Sequence, residues 1–136
     1  MLFTFSITTP ANTLASAKQQ TSLALAAGII SHVWVQFPPG PAALLHLQIA
    51  DELHQVIPAN PDNDLASDDE TIEWDDEIDL TEPPYELQAH TWNLDDTYLH
   101  LVIIHMSLIP AAEWAKRSTI WDRLGAMLGL RPRQFP

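Results

Sequence analysis

The sequence predicts an all-β fold, a jelly-roll-like antiparallel β-sandwich with a C-terminal amphipathic helix. Three observations predict it. Short segments of alternating apolar and polar residues follow one another through the first 109 residues. Pro, Gly, Asn and Asp, which favour turns, separate these segments. After Pro110 the apolar residues recur at helical spacing. About eight or nine short strands followed by one helix are typical of a β-sandwich, most plainly of a jelly roll.

The first strands are predicted by alternation. Residues 2–8 alternate and form the first strand, and residues 22–27 favour a strand because Gly28 follows at once. Residues 29–37 and 44–49 each have one apolar face, which we assign to the core. The inward positions are Val33, Val35, Phe37, Leu45, Leu47 and Ile49.

The turn Pro38-Pro39-Gly40-Pro41 lies between these two strands and predicts a hairpin. If Phe37 pairs with Ala43, each strand directs its aromatic and polar residues to the same outer face. The opposed pairs on that face would be Trp34 with His46 and His32 with Gln48.

The remaining strands are shorter, apart from the last. Four short strands are predicted at residues 51–57, 71–74, 78–81 and 85–92. Residues 97–109 form the longest strand, which is apolar on both faces. Such a strand is central in its sheet or is covered by a neighbouring subunit. We assign Leu101 and Ile103 to its inward face.

Residues 111–130 predict one amphipathic helix. Trp114, Trp121, Leu124 and Leu128 recur at helical spacing, and Gly129 begins the stop signals. The chain therefore divides into a β-sandwich domain at residues 1–109 and a helix with a basic tail at residues 110–136.

Charge is distributed unevenly along the chain. Eleven of the 18 acidic residues fall between Asp62 and Glu82, a segment called the acidic band below. Five of the six basic residues follow Ala115. This polarity suits assembly with a partner or with other copies. The net charge of −12 argues against nucleic acid and anionic membranes as partners.

The absence of cysteine excludes disulfides and thiol chemistry. We expect a soluble protein, since its most apolar stretch, residues 99–109, is too short to cross a bilayer.

Catalytic and metal-binding signatures are missing. The sequence contains no G-x-S-x-G, no P-loop and no H-x-H, and His100 and His105 would point to opposite faces of a strand. The acidic run at residues 62–70 could hold Ca²⁺ but more often is a solvated loop. Glu73 and Asp75 share a face, yet a sandwich of this size rarely encloses a sugar cleft. We expect a protein that is not an enzyme, with no cofactor and no metal.

Aromatic residues are the candidate interface anchors. Trp34, Trp74 and Trp92 lie on strands, where they either share an exposed face or pack in the core. The helix either packs on its own sandwich or docks on a neighbour, with its basic residues meeting the acidic band. The predicted interface residues are Trp114, Arg117, Trp121, Arg123, Leu124, Trp34 and Trp92.

Three segments carry a resemblance to a known class of protein. They are Phe37-Pro-Pro-Gly-Pro, Asp68-Asp-Glu-Thr-Ile-Glu and Trp92-Asn-Leu-Asp-Asp-Thr-Tyr-Leu-His. Across residues 28–110 the chain resembles the small β-sandwich accessory proteins that decorate or cement the capsids of tailed-phage virions. The resemblance implies a jelly-roll-like fold, no catalysis, and trimers or other symmetric clusters on a capsid lattice.

The expected function is therefore that of a capsid decoration or cement protein. It would form a homotrimer, bind the major capsid protein or another virion scaffold protein, and lie on the capsid surface after synthesis in the host cytoplasm. The alternative is a carbohydrate-binding β-sandwich module that uses exposed Trp residues. A small metal-dependent jelly-roll enzyme is a third possibility, which the missing H-x-H disfavours.

Overall fold

The computed structural model describes residues 1–127; for residues 118, 120–122, 126 and 127 it describes the backbone alone. Eight strands and one α-helix make up this part of the chain, and a short 3-10 turn (Ala15–Ala17) precedes the second strand. In order they are β1 (Leu2–Thr9), β2 (Gln19–Ala24), β3 (Gly28–Phe37), β4 (Leu45–Asp51), β5 (His54–Ile57), β6 (Glu70–Leu80), β7 (Glu86–Asn93), β8 (His100–Pro110) and α1 (Ala111–Met127).

The strands form two antiparallel sheets packed as a sandwich, as the sequence predicts. Sheet A has the order β1-β8-β3-β6, and sheet B has the order β2-β7-β4-β5. Most consecutive strands lie in opposite sheets, whereas β4 and β5 pair as a hairpin. This alternation of eight strands between two four-stranded sheets is the jelly-roll arrangement.

The connections fall at two opposite ends of the sandwich. One end, called the loop end below, carries the connections at residues 10–18, 38–44, 58–69 and 94–99. The other end, called the helix end, carries the shorter connections at residues 25–27, 52–53 and 81–85, together with Met1 and the start of α1. The Met1 amine donates a hydrogen bond to the carbonyl oxygen of Leu108, 2.8 Å away, which holds the N-terminus to β8.

The core lies between the sheets. The six inward residues predicted on β3 and β4 are fully buried, which confirms the predicted inward faces of these two strands. Other strands complete the core with Ile7, Leu23, Ile57, Ile78, Leu80, Leu87 and Ala89.

The predicted inward face of β8 is wrong. Val102, Ile104 and Met106 are fully buried, whereas Leu101 and Ile103 are half-buried on the outer face of sheet A. Because β8 is apolar on both faces, alternation could not set its orientation. Pairing sets it instead, since Met106 lies beside Val33 and Ile104 beside Val35 in β3. The expectation that β8 is central is confirmed, because it lies between β1 and β3.

The predicted hairpin between β3 and β4 is also wrong. β3 belongs to sheet A and β4 to sheet B, so residues 38–44 cross from one sheet to the other. The expected pairs of Trp34 with His46 and His32 with Gln48 therefore do not form. Alternation identifies each strand but does not say which sheet the strand joins. The strands that pair with β3 are β6 and β8, which are distant from it in the sequence.

The two short strands predicted at residues 71–74 and 78–81 are one long edge strand, β6. Its inward positions Ile72, Trp74, Ile78 and Leu80 pack against the core. Its exposed positions include Glu73, Asp75, Glu77 and Asp79. Much of the acidic band is thus the outer side of an edge strand, where charge discourages unwanted strand pairing.

Helix α1 leaves the sandwich directly after β8. The backbone N–H of Ala111 donates to the carbonyl oxygen of Ala27 (3.1 Å), and the helix contacts β3 and β8. Beside this junction Gly28 pairs with Pro110, and a Cβ on Gly28 would clash with the carbonyl oxygen of Ile109. The close approach of β3 to β8 therefore requires glycine here. The predicted helix extends to Leu130, but residues 128–130 lie outside the described part of the chain.

Candidate functional site

The loop end is held together by backbone hydrogen bonds between distant segments. The N–H of Leu94 donates to the carbonyl oxygen of Leu44 (2.9 Å), which joins the β7–β8 and β3–β4 connections. Thr13 and Asn93 exchange N–H donors and carbonyl acceptors at 3.1 and 2.9 Å. The connections at residues 10–18, 38–44 and 94–99 are therefore fixed relative to one another.

Two carboxylates reinforce these loops. One Asp95 oxygen accepts the N–H of Thr97, and the other lies 2.7 Å from Nε2 of His100. The Thr97 N–H and then His100 hold the pKa of Asp95 below its ordinary value. Asp68 accepts the backbone N–H groups of Ala42 and Gly40, which lower its pKa in the same way. These acidic residues order the loop end. Asp68 and Asp95 belong to the second and third of the segments that carry the resemblance, so both have a structural role in this fold.

Exposed apolar side chains are concentrated at the loop end. Five of the nine large apolar side chains that are exposed in the described part of the chain lie on its connections. Tyr98 and Leu99 keep 67% and 63% of their surfaces exposed. The full set is Leu14, Leu44, Leu94, Tyr98 and Leu99, and we call it the apolar loop patch. Several exposed apolar side chains gathered on fixed connections at one end of a domain favour an interaction site.

Sequence reasoning missed this patch. Leucines in turn segments were the available signal, since Leu44 follows Pro-rich sequence and Leu94 lies between Asn93 and Asp95. Turns are usually polar, so large apolar residues in several turns that meet at one end of the fold favour an interaction surface.

The outer face of sheet A carries a polar cluster around Trp34. The ring of His32 lies 4.2 Å from that of Trp34, centroid to centroid. The two nitrogens of His32 lie 2.6 Å from Asp75 Oδ1 and 3.1 Å from Glu73 Oε2, both on β6. On the other side of Trp34 lies His105, whose Nδ1 is 2.9 Å from Thr4 Oγ1. These contacts fasten the acidic edge strand to the middle of the sheet.

His32 gives the fold a pH dependence of known sign. Its hydrogen bonds to Asp75 and then Glu73 raise the pKa of His32. A raised pKa in the folded state means that protonated His32 stabilises the fold fully below the unfolded value of about 6.5, and that this stabilisation is lost as pH rises through the folded value. His32→Gln should therefore flatten the decline in stability across this window. Urea unfolding of both proteins between about pH 5.5 and about pH 8.5 measures the difference, and identical pH profiles would contradict it.

Trp92 lies on the outer face of sheet B, where the side chains of His46 and Lys18 cover its indole ring. The His46 ring stacks on Trp92 at 5.1 Å with only 3° between the planes, and Lys18 Nζ lies 4.8 Å from the indole centroid. His46 is held by Asp64, whose Oδ1 lies 2.7 Å from Nδ1. Trp92 keeps only 6% of its surface exposed as a result.

The three strand tryptophans therefore do not share an exposed face, contrary to one expectation. Trp34 is half-buried on the outer face of sheet A, and Trp92 is covered on sheet B. Trp74 points inward against the core and donates from Nε1 to Asp76 Oδ2 (2.8 Å). The alternative function, a carbohydrate-binding module that uses exposed Trp residues, therefore has no shared exposed face of Trp34, Trp74 and Trp92 to act through. Contacts of Trp34 and Trp92 with other subunits stay predictions.

Helix α1 carries the other predicted interface residues. Trp114 is half-buried, and Arg117 pairs with Glu113 one turn earlier at 2.8 Å. Arg123 and Leu124 are exposed. Trp121 lies in the helix, but its side chain is outside the described part of the structure. Their interface roles stay predictions.

The described side chains form no preformed metal site. Among the described side chains, no group of three or more His, Cys, Asp or Glu residues is placed to hold a metal ion. Within the acidic band, Asp68 instead caps the β3–β4 connection and Asp64 holds His46, while Glu73, Asp75, Glu77 and Asp79 lie on the outer side of β6. Within residues 1–127, the helix is neither long nor apolar enough to cross a membrane.

Comparison of the sequence with protein families and with curated proteins finds no match. No protein-family model matches the chain. No curated protein shows significant sequence similarity to it. The jelly-roll fold and the surfaces described above are therefore the basis for a functional proposal.

Proposed function

We propose that this jelly roll is a non-enzymatic structural protein that assembles with itself and with a larger scaffold, as a decoration or cement protein on a virus capsid. The observation that carries the proposal is the apolar loop patch. It places five large apolar side chains on one end of a protein whose net charge is −12. In our proposal other copies of the chain cover this patch, and the unit is a homotrimer.

Two physical reasons favour self-association through the loop end. Burial of apolar surface is the dominant favourable term in most protein–protein association, and symmetric closure leaves no copy of the patch in water. The connections are already fixed by the hydrogen bonds between Leu44 and Leu94 and between Thr13 and Asn93. Little backbone entropy is therefore lost on association.

Helix α1 supplies the second contact, made with the scaffold. It starts at the end of the sandwich opposite the apolar loop patch, so it can reach outward from a trimer closed through the loops. Lys116, Arg117 and Arg123 are exposed on it. These charges favour an acidic partner surface, while Trp114 and Trp121 are the proposed apolar anchors.

The capsid setting rests on the sequence resemblance, whose three segments all reach the loop end of the fold. We propose the major capsid protein, or another virion scaffold protein, as the partner. The protein would then lie on the capsid surface of the virion. Under this proposal the jelly roll needs no catalytic pocket. The hydrogen bonds that fix its loop-end connections hold the apolar loop patch ready for contact with other copies.

The apolar loop patch can be tested with the purified protein. We expect light scattering at micromolar concentration to give about three times the chain mass of 15.2 kDa. Leu44→Ser combined with Leu94→Ser should give a folded monomer, because it removes two of the five patch residues and neither belongs to the core. Circular dichroism checks the fold.

A matched control uses two exposed leucines of the helix end. Leu2 and Leu53 are at least as exposed as Leu44 and Leu94, but they lie far from the loop patch. Leu2→Ser combined with Leu53→Ser should leave the trimer intact. A monomeric wild-type protein would refute self-association, and a loop-patch variant that stays trimeric would refute the assigned surface.

A further inference from the structure

We infer that the outer face of sheet B carries a binding site for a neutral, hydroxyl-rich ligand, such as a segment of a glycan chain. A groove of about 610 Å³ runs over this face. It is lined mainly by amide, amine and imidazole side chains: Lys18, Gln20, Gln48, Gln55, Gln88 and His90. This site is separate from the apolar loop patch and does not depend on the proposed assembly.

The strand register assembles the groove from four separate parts of the chain. Gln20 of β2, His90 of β7 and Gln48 of β4 lie side by side in one row across the sheet. In the next row Gln88 lies beside Ala50, which pairs with Gln55 of β5. Polar side chains that alternate with core residues thus form a continuous amide-lined surface.

The floor of the groove is rigid. Gln48 and Gln88 are each only 8% exposed, although both are polar. Gln48 accepts a hydrogen bond from Lys18 Nζ (3.0 Å) and donates to the carbonyl oxygen of Asn63 (2.9 Å). The side-chain carbonyl oxygen of Gln88 accepts a hydrogen bond from the backbone N–H of Glu52 (2.8 Å). A preorganised polar floor lowers the entropy lost when a ligand binds.

Other polar groups in the groove still have hydrogen-bonding capacity. In the described part of the chain, no hydrogen bond engages the Gln20 amide or the His90 ring. Gln55 uses its NH₂ group for backbone carbonyls and keeps its own carbonyl oxygen available. Amides and a neutral imidazole each offer a donor and an acceptor, which matches the dual character of a hydroxyl group.

The charge of the groove favours a neutral ligand. Lys18 and Glu52 have opposite charges on its lining. Burial, and then the nearby Lys18 ammonium, lower the pKa of His90, so its ring is neutral at neutral pH. In a chain of net charge −12, this nearly uncharged groove is unusual. An anionic ligand would meet the general acidity of the protein, and a cationic ligand would meet Lys18.

The shape of the groove favours a glycan over an extended peptide. Peptides often add a strand to a sheet edge through backbone hydrogen bonds. The groove instead lies on the face of sheet B, across its central strands β7 and β4, whose backbone groups are already paired. Ala50 in the floor and Leu53 on the rim add apolar surface for the C–H faces of sugar rings.

Amide-resolved NMR titration of the ¹⁵N-labelled full-length protein tests the site. The probes are neutral hexasaccharides: maltohexaose, cellohexaose, xylohexaose, mannohexaose and hexa-N-acetylchitohexaose. We expect at least one to give saturable shifts at Gln20, His90 and the side-chain amides of Gln48 and Gln55. Gln20→Ala combined with His90→Ala should weaken that binding by about tenfold or more, because each group makes its hydrogen bonds to the ligand.

The matched control is Gln36→Ala, which removes an exposed glutamine from the outer face of sheet A. It should leave the titration unchanged. The inference is overturned if no probe causes shifts at about 10 mM, if the shifts map to another surface, or if the double variant binds as wild type. Tighter binding of a charged probe, a heparin hexasaccharide or a polylysine peptide, would overturn the neutral ligand class.

Discussion

Replacing Phe37 with alanine should lower the free energy of unfolding by about 3–5 kcal/mol. Phe37 is the largest fully buried side chain of the core and ends β3 at the loop end. Its removal leaves a cavity between the sheets that neighbouring strands cannot close, because the hydrogen-bonded pairing of β3 with β6 and β8 fixes the backbone. A domain of this size has a total stability of about 5–15 kcal/mol, so the variant would be close to unfolding at room temperature.

Urea unfolding followed by tryptophan fluorescence measures this loss. Wild type and variant must be compared at equal protein concentration, since self-association adds to apparent stability. Gln36→Ala is the neighbouring control, because Gln36 is exposed on the same strand. A loss below about 1 kcal/mol would mean that the Phe37 ring is not a central part of the core.

Removing the chain after Pro110 should sharply weaken binding to the proposed scaffold while the sandwich stays folded. The expected loss of affinity is at least about thirtyfold, since two tryptophan anchors and several positive charges are removed together. The core is expected to survive because it lies between the sheets and its members come from the strands. Most described side chains of α1 are exposed. The melting temperature should therefore change by less than about 4 °C.

To test the proposed function, the experiment compares full-length and truncated protein, each co-expressed with a candidate major capsid protein from the genome that encodes the chain. Circular dichroism reports the fold, light scattering reports the trimer, and co-purification reports scaffold binding. Lys116→Gln combined with Arg117→Gln and Arg123→Gln separates charge from apolar anchoring. It should weaken binding moderately and reduce its dependence on salt.

Each outcome of the truncation is informative. If the shortened protein unfolds, the helix belongs to the core of the domain. If it still co-purifies with the capsid protein, residues 111–136 are not the scaffold contact. If it becomes monomeric but stays folded, α1 contributes to the contact between copies and the apolar loop patch does not suffice alone.

Alternation was a sound guide wherever only one face of a strand is apolar. It identified β1, β3 and β4 and assigned Val33, Val35 and Phe37 to the core, whereas β7 was predicted from the turn residues around it. It failed for β8, whose two faces are similar, and it divided β6 in two. Glu77 and its acidic neighbours resembled a turn there, although they are the exposed side of a continuous strand.

The candidate surfaces were harder to predict because each combines residues that are distant in sequence. Leu14, Leu44 and Leu94 come together only because the jelly roll brings three connections to one end. The groove depends on Gln20, Gln48 and His90 sharing a row, which requires the order β2-β7-β4. No local pattern states that order.

The sequence by itself determined the class of fold, the position of most strands, the inward residues of β3 and β4, and the start of the terminal helix. These depend on local periodicity and turn chemistry, which neighbouring residues encode. Only the tertiary structure decided which strands pair, which face of β8 is buried, and which exposed residues share a surface. Those features depend on hydrogen bonding and packing between segments tens of residues apart, so their physical cause lies in the assembled sandwich.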